Sequence, residues 1–179
     1  RSSAASDVYK RQSSNRSGRF EIFTVNRDGS NLTQVTSGEG DKGSPAWSPD
    51  GKQLAFVLTK ISKTQPEYTE IDIVDLKTRE ITHLLRLPWE IGGASVSDID
   101  WSPVDKNLML YTKIEPASSK LQHPGSESER YIVGRVYLLS LQTQESTLLT
   151  PDGWDCDGPH WSPDGSLILM NGCLIYGGY

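Results

Sequence analysis

The stretch Ser44-Pro45-Ala46-Trp47-Ser48-Pro49-Asp50-Gly51 decides the fold, because the chain carries three versions of it. The second is Asp98-Ile99-Asp100-Trp101-Ser102-Pro103-Val104-Asp105, and the third is Gly158-Pro159-His160-Trp161-Ser162-Pro163-Asp164-Gly165. In Ser-Pro-Asp-Gly, proline presets φ, aspartate caps its own backbone and glycine accepts a positive φ, so the motif predicts a tight turn. A short apolar run follows each copy, and each copy therefore predicts two antiparallel strands joined by a hairpin. The middle copy lacks Asp-Gly, and we expect its turn to be looser or of another type.

Alternation of apolar and polar residues between these hairpins predicts further strand pairs with one buried face. The pairs are 19–26 with 31–36, 70–76 with 80–85, and 135–141 with 145–150. Four strands per unit, repeated along one chain, are the signature of a β-propeller. We therefore predict an all-β fold, a partial, open-arc β-propeller of four-stranded antiparallel blades. Residues 61–68, 87–96 and 115–134 are predicted loops, the last of them an exposed insertion.

Composition excludes several classes of function. The 179 residues carry a formal net charge of −5, which argues against nucleic acid or an anionic membrane as partner, because both need a basic face. No apolar run approaches the roughly 20 residues that span a bilayer, and no signal peptide is visible. The two cysteines, Cys156 and Cys173, predict neither a disulfide framework nor a zinc site, which takes four ligands at short paired spacings.

The repeat resembles the TolB-type propeller repeat over residues 19–172. The resemblance rests on the stretch from Ile22 to Ser30, on Leu32-Thr33 and Val35-Thr36, on Asp41, and on the stretch from Pro45 to Lys52. It implies blades that run from the tryptophan-bearing inner strand outward. On that template the chain holds the outer half of one blade, two whole blades and the inner half of a fourth. Such an arc leaves unpaired edges and apolar faces at its ends, which the remaining blades of a parent propeller would cover.

Several repeated positions are assigned a structural role. The tryptophans fill the space between adjacent blades, and the acid six residues before the tryptophan accepts backbone N–H groups. The assigned residues are Asp41, Trp47, Pro49, Asp50, Gly51, Trp101, Pro103, Trp161, Pro163, Asp164 and Gly165.

The two ends of the chain fall outside the repeat. Residues 1–18 are predicted to be a disordered tail, and 1–12 look like translated linker or adaptor sequence that is not native to the protein. The alternative is a native, basic disordered tail. The end at 173–179 is left unassigned.

Two tryptophans and four polar residues are the candidate ligand-binding positions. Trp89 and Trp154 lie in predicted loops before inner strands, beside Glu90 and Asp155. An exposed indole next to a carboxylate suits a sugar ring or a cationic peptide, although each indole could instead fold back over a blade edge. Asp100 and His160 directly precede a tryptophan on inner strands, and we expect them to line the central channel.

Catalytic, cofactor and metal motifs are weak. Residues 38–43 match G-x-G-x-x-G, but prolines follow where a dinucleotide site needs a helix. Gly153 and Asp164 break the EF-hand pattern around Asp152, Asp155 and Asp157, which leaves only a calcium site of another type open. No G-x-S-x-G motif is present. We predict no catalytic residue, cofactor or metal in this chain.

Three functions remain. The first is a non-catalytic scaffold that binds a protein or peptide through inter-blade loops, and the resemblance implies a periplasmic or extracellular location. The second is the substrate-gating propeller of a prolyl-oligopeptidase-like serine peptidase, whose catalytic residues lie in a separate α/β-hydrolase domain. The third is a glycan-binding or sugar-lyase propeller.

Overall fold

Turn chemistry and strand alternation produce the all-β fold that the sequence predicts. A computed structural model describes residues 9–14, 18–61, 66–88, 95–117, 132–151 and 154–175. These residues contain strands and no helix, so the described chain has no helical segment able to span a membrane. The strands are β1 (Tyr9–Ser14), β2 (Glu21–Asn26), β3 (Thr33–Gln34), β4 (Asp41–Trp47), β5 (Gln53–Ile61), β6 (Pro66–Asp75), β7 (Ile81–Pro88), β8 (Ser95–Trp101), β9 (Leu108–Pro116), β10 (Ile132–Ser140), β11 (Ser146–Leu148), β12 (Trp154–Trp161) and β13 (Ile168–Ile175).

The strands form four antiparallel sheets, and neighbours in sequence are neighbours in each sheet. The first blade is β1-β2-β3, the second is β4-β5-β6-β7, the third is β8-β9-β10-β11 and the fourth is β12-β13. Two blades therefore have four strands each, flanked by sheets of three strands and two strands.

The first blade differs from the sequence expectation, because β1 lies within the segment predicted to be a disordered tail. It pairs with β2 from Tyr9 opposite Asn26 to Ser14 opposite Glu21. This pairing satisfies a row of β2 backbone groups that would otherwise form an open edge. The sequence of β1 is polar and shows no alternation, so it carries no strand signal of its own. At the other end, β13 extends into the unassigned segment and ends at Ile175.

Three hydrophobic clusters hold the sheets together. In the second blade Leu54 and Phe56 pack with Ile22 of the first blade, whereas Ala55 and Val57 pack with residues of the third. Successive residues of a strand point to opposite faces, so both faces of this sheet are covered. The continuous apolar run at 54–58 is the sequence consequence of that two-sided burial.

The three repeated tryptophans occupy three different clusters. Trp47 packs in the cluster that joins the first and second blades, and Trp101 packs between the second and third. Trp161 packs with residues of the third and fourth blades. Each indole therefore lies at a junction between consecutive sheets.

The Ser-Pro turns after Trp47 and Trp161 share one hydrogen-bond pattern. In the first, the Ser48 N–H donates to the Gln53 carbonyl at 3.0 Å and the Ser48 hydroxyl donates to Asp50 at 2.8 Å. In the third, Ser162 donates in the same way to Leu167 at 2.9 Å and to Asp164 at 2.6 Å. The glycine that closes each turn has positive φ, 69° at Gly51 and 71° at Gly165, a conformation that favours glycine.

The middle turn is one residue longer, since the Ser102 N–H bonds to the carbonyl of Leu108. The indole N–H of Trp101 donates to the Lys106 carbonyl at 2.9 Å and ties this longer turn to the core. The replacement of Asp-Gly by Val104 and Asp105 thus goes with a different turn, as expected.

Candidate functional site

The inner strand of each of the last three blades is hydrogen-bonded to the blade before it, at β10, at β6, or at the residue directly before β2. Asp41 Oδ1 accepts the Phe20 N–H at 3.1 Å, and Asp155 Oδ1 accepts the Gly134 N–H at 2.7 Å. At the middle junction, where Ser95 replaces the acid, the Thr69 hydroxyl accepts the Val96 N–H at 3.0 Å. Asp155, a candidate ligand-binding residue in the sequence analysis, is therefore engaged in a bond between blades.

Trp154 is the candidate whose position differs most from the expectation. It lies in β12 and not in a loop, and it is half-buried in the cluster with Leu110, Val136 and Cys156. This partial packing between the third and fourth blades favours the alternative interpretation, in which the ring folds back against a blade edge. Trp89 and Glu90 lie outside the described residues, as does Asp152.

Asp100 and His160 are brought together across the junction of the third and fourth blades. Asp100 Oδ2 accepts the backbone N–H of Trp161 at 2.8 Å and lies 3.7 Å from His160 Nδ1. The His160 side chain is 59% exposed. Ala46 holds the corresponding position in the second blade and is buried. The pair thus presents an imidazole and a partly occupied carboxylate that can take part in polar contacts with a ligand.

A second polar group lies on β6 and β7 of the second blade. Glu70 and Asp72 share one face of β6, and their side chains are 2% and 3% exposed. His83 Nδ1 lies 2.9 Å from Asp72 Oδ1 and 3.5 Å from Glu70 Oε1. Arg86 donates through Nε to Glu70 Oε1 at 3.1 Å and through Nη2 to Glu70 Oε2 at 3.3 Å, and its guanidinium lies 4.2 Å from the centre of the Tyr68 ring.

Burial and pairing shift two protonation equilibria in this group. Burial raises the pKa of Asp72 above the ordinary carboxyl value, and the hydrogen bond from His83 opposes that shift. The same hydrogen bond raises the pKa of His83 above the ordinary imidazole value. His83 contacts both buried carboxylates and Arg86 pairs with Glu70, and both of these basic side chains lie on the solvent side.

Comparison with known proteins connects these features to a repeat family. No family model matches the chain. Over 87 residues, which are 49% of the chain and 17% of the relative, it is 44% identical to the Tol-Pal system protein TolB of Zymomonas mobilis. TolB from Acinetobacter baumannii superimposes with a TM-score of 0.61 at 22% identity, covering 91% of this chain and 35% of that one. The chain is built from TolB-like propeller repeats.

Other relatives of the TolB-like repeats are propeller-containing proteins of different kinds. A putative TolB from Agrobacterium tumefaciens gives a TM-score of 0.65 at 18% identity, covering 91% of this chain and 50% of that one. An uncharacterised peptidase of Bacillus subtilis is 24% identical over 159 residues, which are 78% of this chain and 23% of the peptidase. The chain spans 23% or less of the length of the curated relatives it matches.

The group on β6 and β7 was not predicted, because strand alternation places Asp72 on the polar, exposed face of a strand with one buried face. The second blade is covered on both faces, so Glu70 and Asp72 are buried beside Val74 on one face while Ile71 and Ile73 are buried on the other. The sequence does carry a pattern that indicates this group. Two acids alternate along one predicted strand, Glu70 and Asp72, and the next predicted strand carries a histidine, with an arginine directly after it.

The weak motifs also have defined places in the TolB-like blades. Residues 38–43 overlap the start of β4, which begins at Asp41, so the G-x-G-x-x-G match opens a strand and not a helix. Within the described ranges, Glu70, Asp72 and His83 form the one group of three potential metal ligands whose donor atoms lie within 4.8 Å of one another. Asp155 and Asp157 are not part of such a group.

Cys156 is buried in the junction of the third and fourth blades and is disulfide-bonded. The expectation from cysteine number did not foresee this bond. Two cysteines are too few for a disulfide framework that replaces a hydrophobic core. A single disulfide can still stabilise a blade that already has a hydrophobic core.

Proposed function

We propose that the chain is a non-catalytic propeller scaffold that binds a protein or peptide partner through the long connections at one end of its blades. The arrangement of the strand ends carries this proposal. In each antiparallel blade, the connection after the second strand and the connection to the next blade leave from the same end. The connections after β5, β7, β9 and β11 therefore leave from one end, whereas the Ser-Pro turns and the outer hairpins occupy the other.

The connections that vary most in length are those at the end where the connections after β5, β7, β9 and β11 leave the blades. The connection between Pro116 and Ile132 is the longest, while the turns at the opposite end are short and built on one pattern. Variable connections on a rigid sheet scaffold are where recognition residues are usually found. Trp89 and Glu90 follow β7 in the sequence, and we propose them as contacts for a partner that carries cations.

The relatives support a partner that is a protein. Curated relatives are named Tol-Pal system proteins, and we extend to this chain a role as a protein-binding component of an assembly of that kind. The junction residues Asp100 and His160 are proposed to line the central channel, where they would contact a partner segment that enters it.

A peptide-display selection on the purified protein tests the proposed binding end. Peptides selected on the wild type are measured against a variant in which 118–131 is replaced by a short Gly-Ser linker, and against Thr143→Ala at the opposite end as control. The proposal expects loss of binding with the first variant and unchanged binding with the second. Peptides that bind both variants like the wild type would contradict it.

We also propose that the chain functions in the periplasm or outside the cell. The bond at Cys156 supports this location, because disulfides persist in oxidising compartments and are rare in the cytosol. Alkylation in denaturant of the protein as isolated from its cells, without reductant, is expected to leave Cys156 unmodified. Full alkylation at Cys156 under these conditions would contradict the location.

A second candidate function is supported by the extent of one match. The uncharacterised Bacillus peptidase aligns with 78% of the chain, whereas the Zymomonas TolB aligns with 49%. The blades would then gate access to the catalytic domain of a serine peptidase. A fluorophosphonate probe that labels the full-length protein would favour this candidate, and the absence of labelling would favour the scaffold. The glycan-binding alternative is less favoured, because Trp154 is partly packed between blades.

A further inference from the structure

We propose that Glu70, Asp72 and His83 form a binding site for a divalent transition metal ion such as Zn²⁺ on the second blade. The site goes beyond the scaffold function proposed above and does not depend on it.

The spacing of the donor atoms fits a small metal ion. His83 Nδ1 lies 2.9 Å from Asp72 Oδ1 and 3.5 Å from Glu70 Oε1. Tetrahedral zinc with ligand bonds of about 2.0–2.1 Å places its ligands about 3.3 Å from one another. Imidazole and carboxylate are both ordinary zinc ligands, so this group needs small side-chain shifts to surround an ion.

The ligands are held in place before an ion arrives. Glu70 and Asp72 are two residues apart on β6, and Asp72 is the cross-strand partner of His83 on β7, next to an irregularity in the pairing. Both carboxylates are nearly fully buried, while the His83 side chain is 62% exposed. An ion can therefore enter from the solvent side, and water can complete its coordination.

The group is specific to this blade and is not required by the repeat. Phe23 in the first blade and Tyr137 in the third correspond to Asp72, since each lies three residues before the equivalent outer hairpin. Gln34 and Leu148 are their partners across the strand pair, where the second blade has His83. The first and third blades have an aromatic residue at the position of Asp72. An acid paired with a histidine is therefore not needed to form a blade of this repeat.

Arg86 is the internal competitor for the ion. Two carboxylates face one guanidinium, which leaves negative charge for a cation near His83. The Arg86 side chain is 55% exposed and also lies over the Tyr68 ring, so it can move away from Glu70 and keep a favourable contact. Removing Arg86 is therefore expected to strengthen metal binding.

Calorimetric titration of the chelator-treated full chain with Zn²⁺ tests the site. His83→Gln is expected to weaken zinc binding about tenfold or more, and Arg86→Gln to strengthen it. The matched control is His160→Gln, because His160 also lies beside a carboxylate but without a third ligand; it should leave the affinity unchanged. Circular dichroism of each variant establishes that the blades remain folded.

Cobalt substitution provides a second readout that does not depend on affinity alone. Co²⁺ bound by this group should give visible ligand-field absorption in the wild type and in His160→Gln, and none in Asp72→Asn. Zinc binding that is absent in the wild type, or equal in His83→Gln and His160→Gln, would overturn the proposal. A wild-type cobalt spectrum that persists in Asp72→Asn would overturn the assignment of the ligands.

Discussion

The contact between Gly134 and the fourth blade offers a sharp test of blade packing. A Cβ atom at Gly134 would lie 2.5 Å from the Cys156 carbonyl oxygen, which is backbone and cannot rotate away. We therefore predict that Gly134→Ala forces β10 and β12 apart. The corresponding residues of the other blades, Phe20 and Thr69, carry side chains, so this close approach is specific to the junction of the third and fourth blades.

The magnitude follows from three contributions. Overpacking of a close contact costs about 1–3 kcal/mol. Separation of the strands also weakens the 2.7 Å bond from the Gly134 N–H to the Asp155 carboxylate, and a hydrogen bond to a charged group contributes about 1.5–3 kcal/mol. Alanine has less conformational entropy than glycine in the unfolded chain, and this difference offsets about 0.4–1 kcal/mol of the loss in the free energy of unfolding. We expect a net loss of roughly 2–4 kcal/mol in the free energy of unfolding, which for a chain of this size lowers Tm by roughly 4–16 °C.

Gly43→Ala is the matched control, because Gly43 also lies in a strand and a Cβ there would meet no atom within 4 Å. Its expected effect is a small stabilisation of about 0.4–1 kcal/mol. Urea unfolding measures both variants, and hydrogen exchange shows whether β12 and β13 lose protection in Gly134→Ala. If both variants unfold at the same urea concentration, the inferred backbone contact between the third and fourth blades is wrong.

Other features of the fold give further predictions. The Lys42 ammonium lies 3.1 Å from Glu21, and both side chains are 4% exposed. Lys42→Met should lower the free energy of unfolding, measured in urea, by about 3–5 kcal/mol, because it leaves the Glu21 carboxylate buried without the lysine. The double variant Lys42→Met/Glu21→Gln should recover part of this loss. Hydrogen bonds from Ser162 and Ser166 lower the pKa of Asp164 to about 2, so the turn gains its stabilisation above the unfolded carboxyl pKa and loses it as pH falls toward 2. Carboxyl NMR titration should give a midpoint near that value, and a midpoint near 3.8 would contradict the turn geometry. In Asp164→Asn the Leu167 amide should exchange faster, whereas exchange equal to that of the wild type would count against a role of the carboxylate in ordering the turn.

Local chemistry made the hairpins predictable from sequence. Proline, aspartate and glycine each favour one turn conformation, and these preferences act over a few residues without help from the rest of the fold. The apolar run at 54–58 similarly reflects burial on both faces of one strand. The four-stranded blades and their order therefore followed from patterns that lie close together in the sequence.

Features that depend on contacts between distant segments were not predictable in the same way. β1 is a strand because β2 offers it an edge, and its own residues show no alternation. The group of Glu70, Asp72 and His83 depends on the register between β6 and β7, which includes an irregularity beside Asp72. Trp154 packs inside because β12 begins earlier than the loop pattern indicated.

A crystal structure of the full-length protein tests the central claim most directly. The claim is that Trp47, Trp101 and Trp161 are equivalent residues, each packed between two consecutive sheets of a radial stack. If the claim is right, the three indoles occupy corresponding positions on the inner strands, with Asp41 bonded to the Phe20 N–H and Asp155 to the Gly134 N–H of the preceding blades. Indoles in unrelated surroundings, or sheets that do not follow one another around an axis, would contradict it.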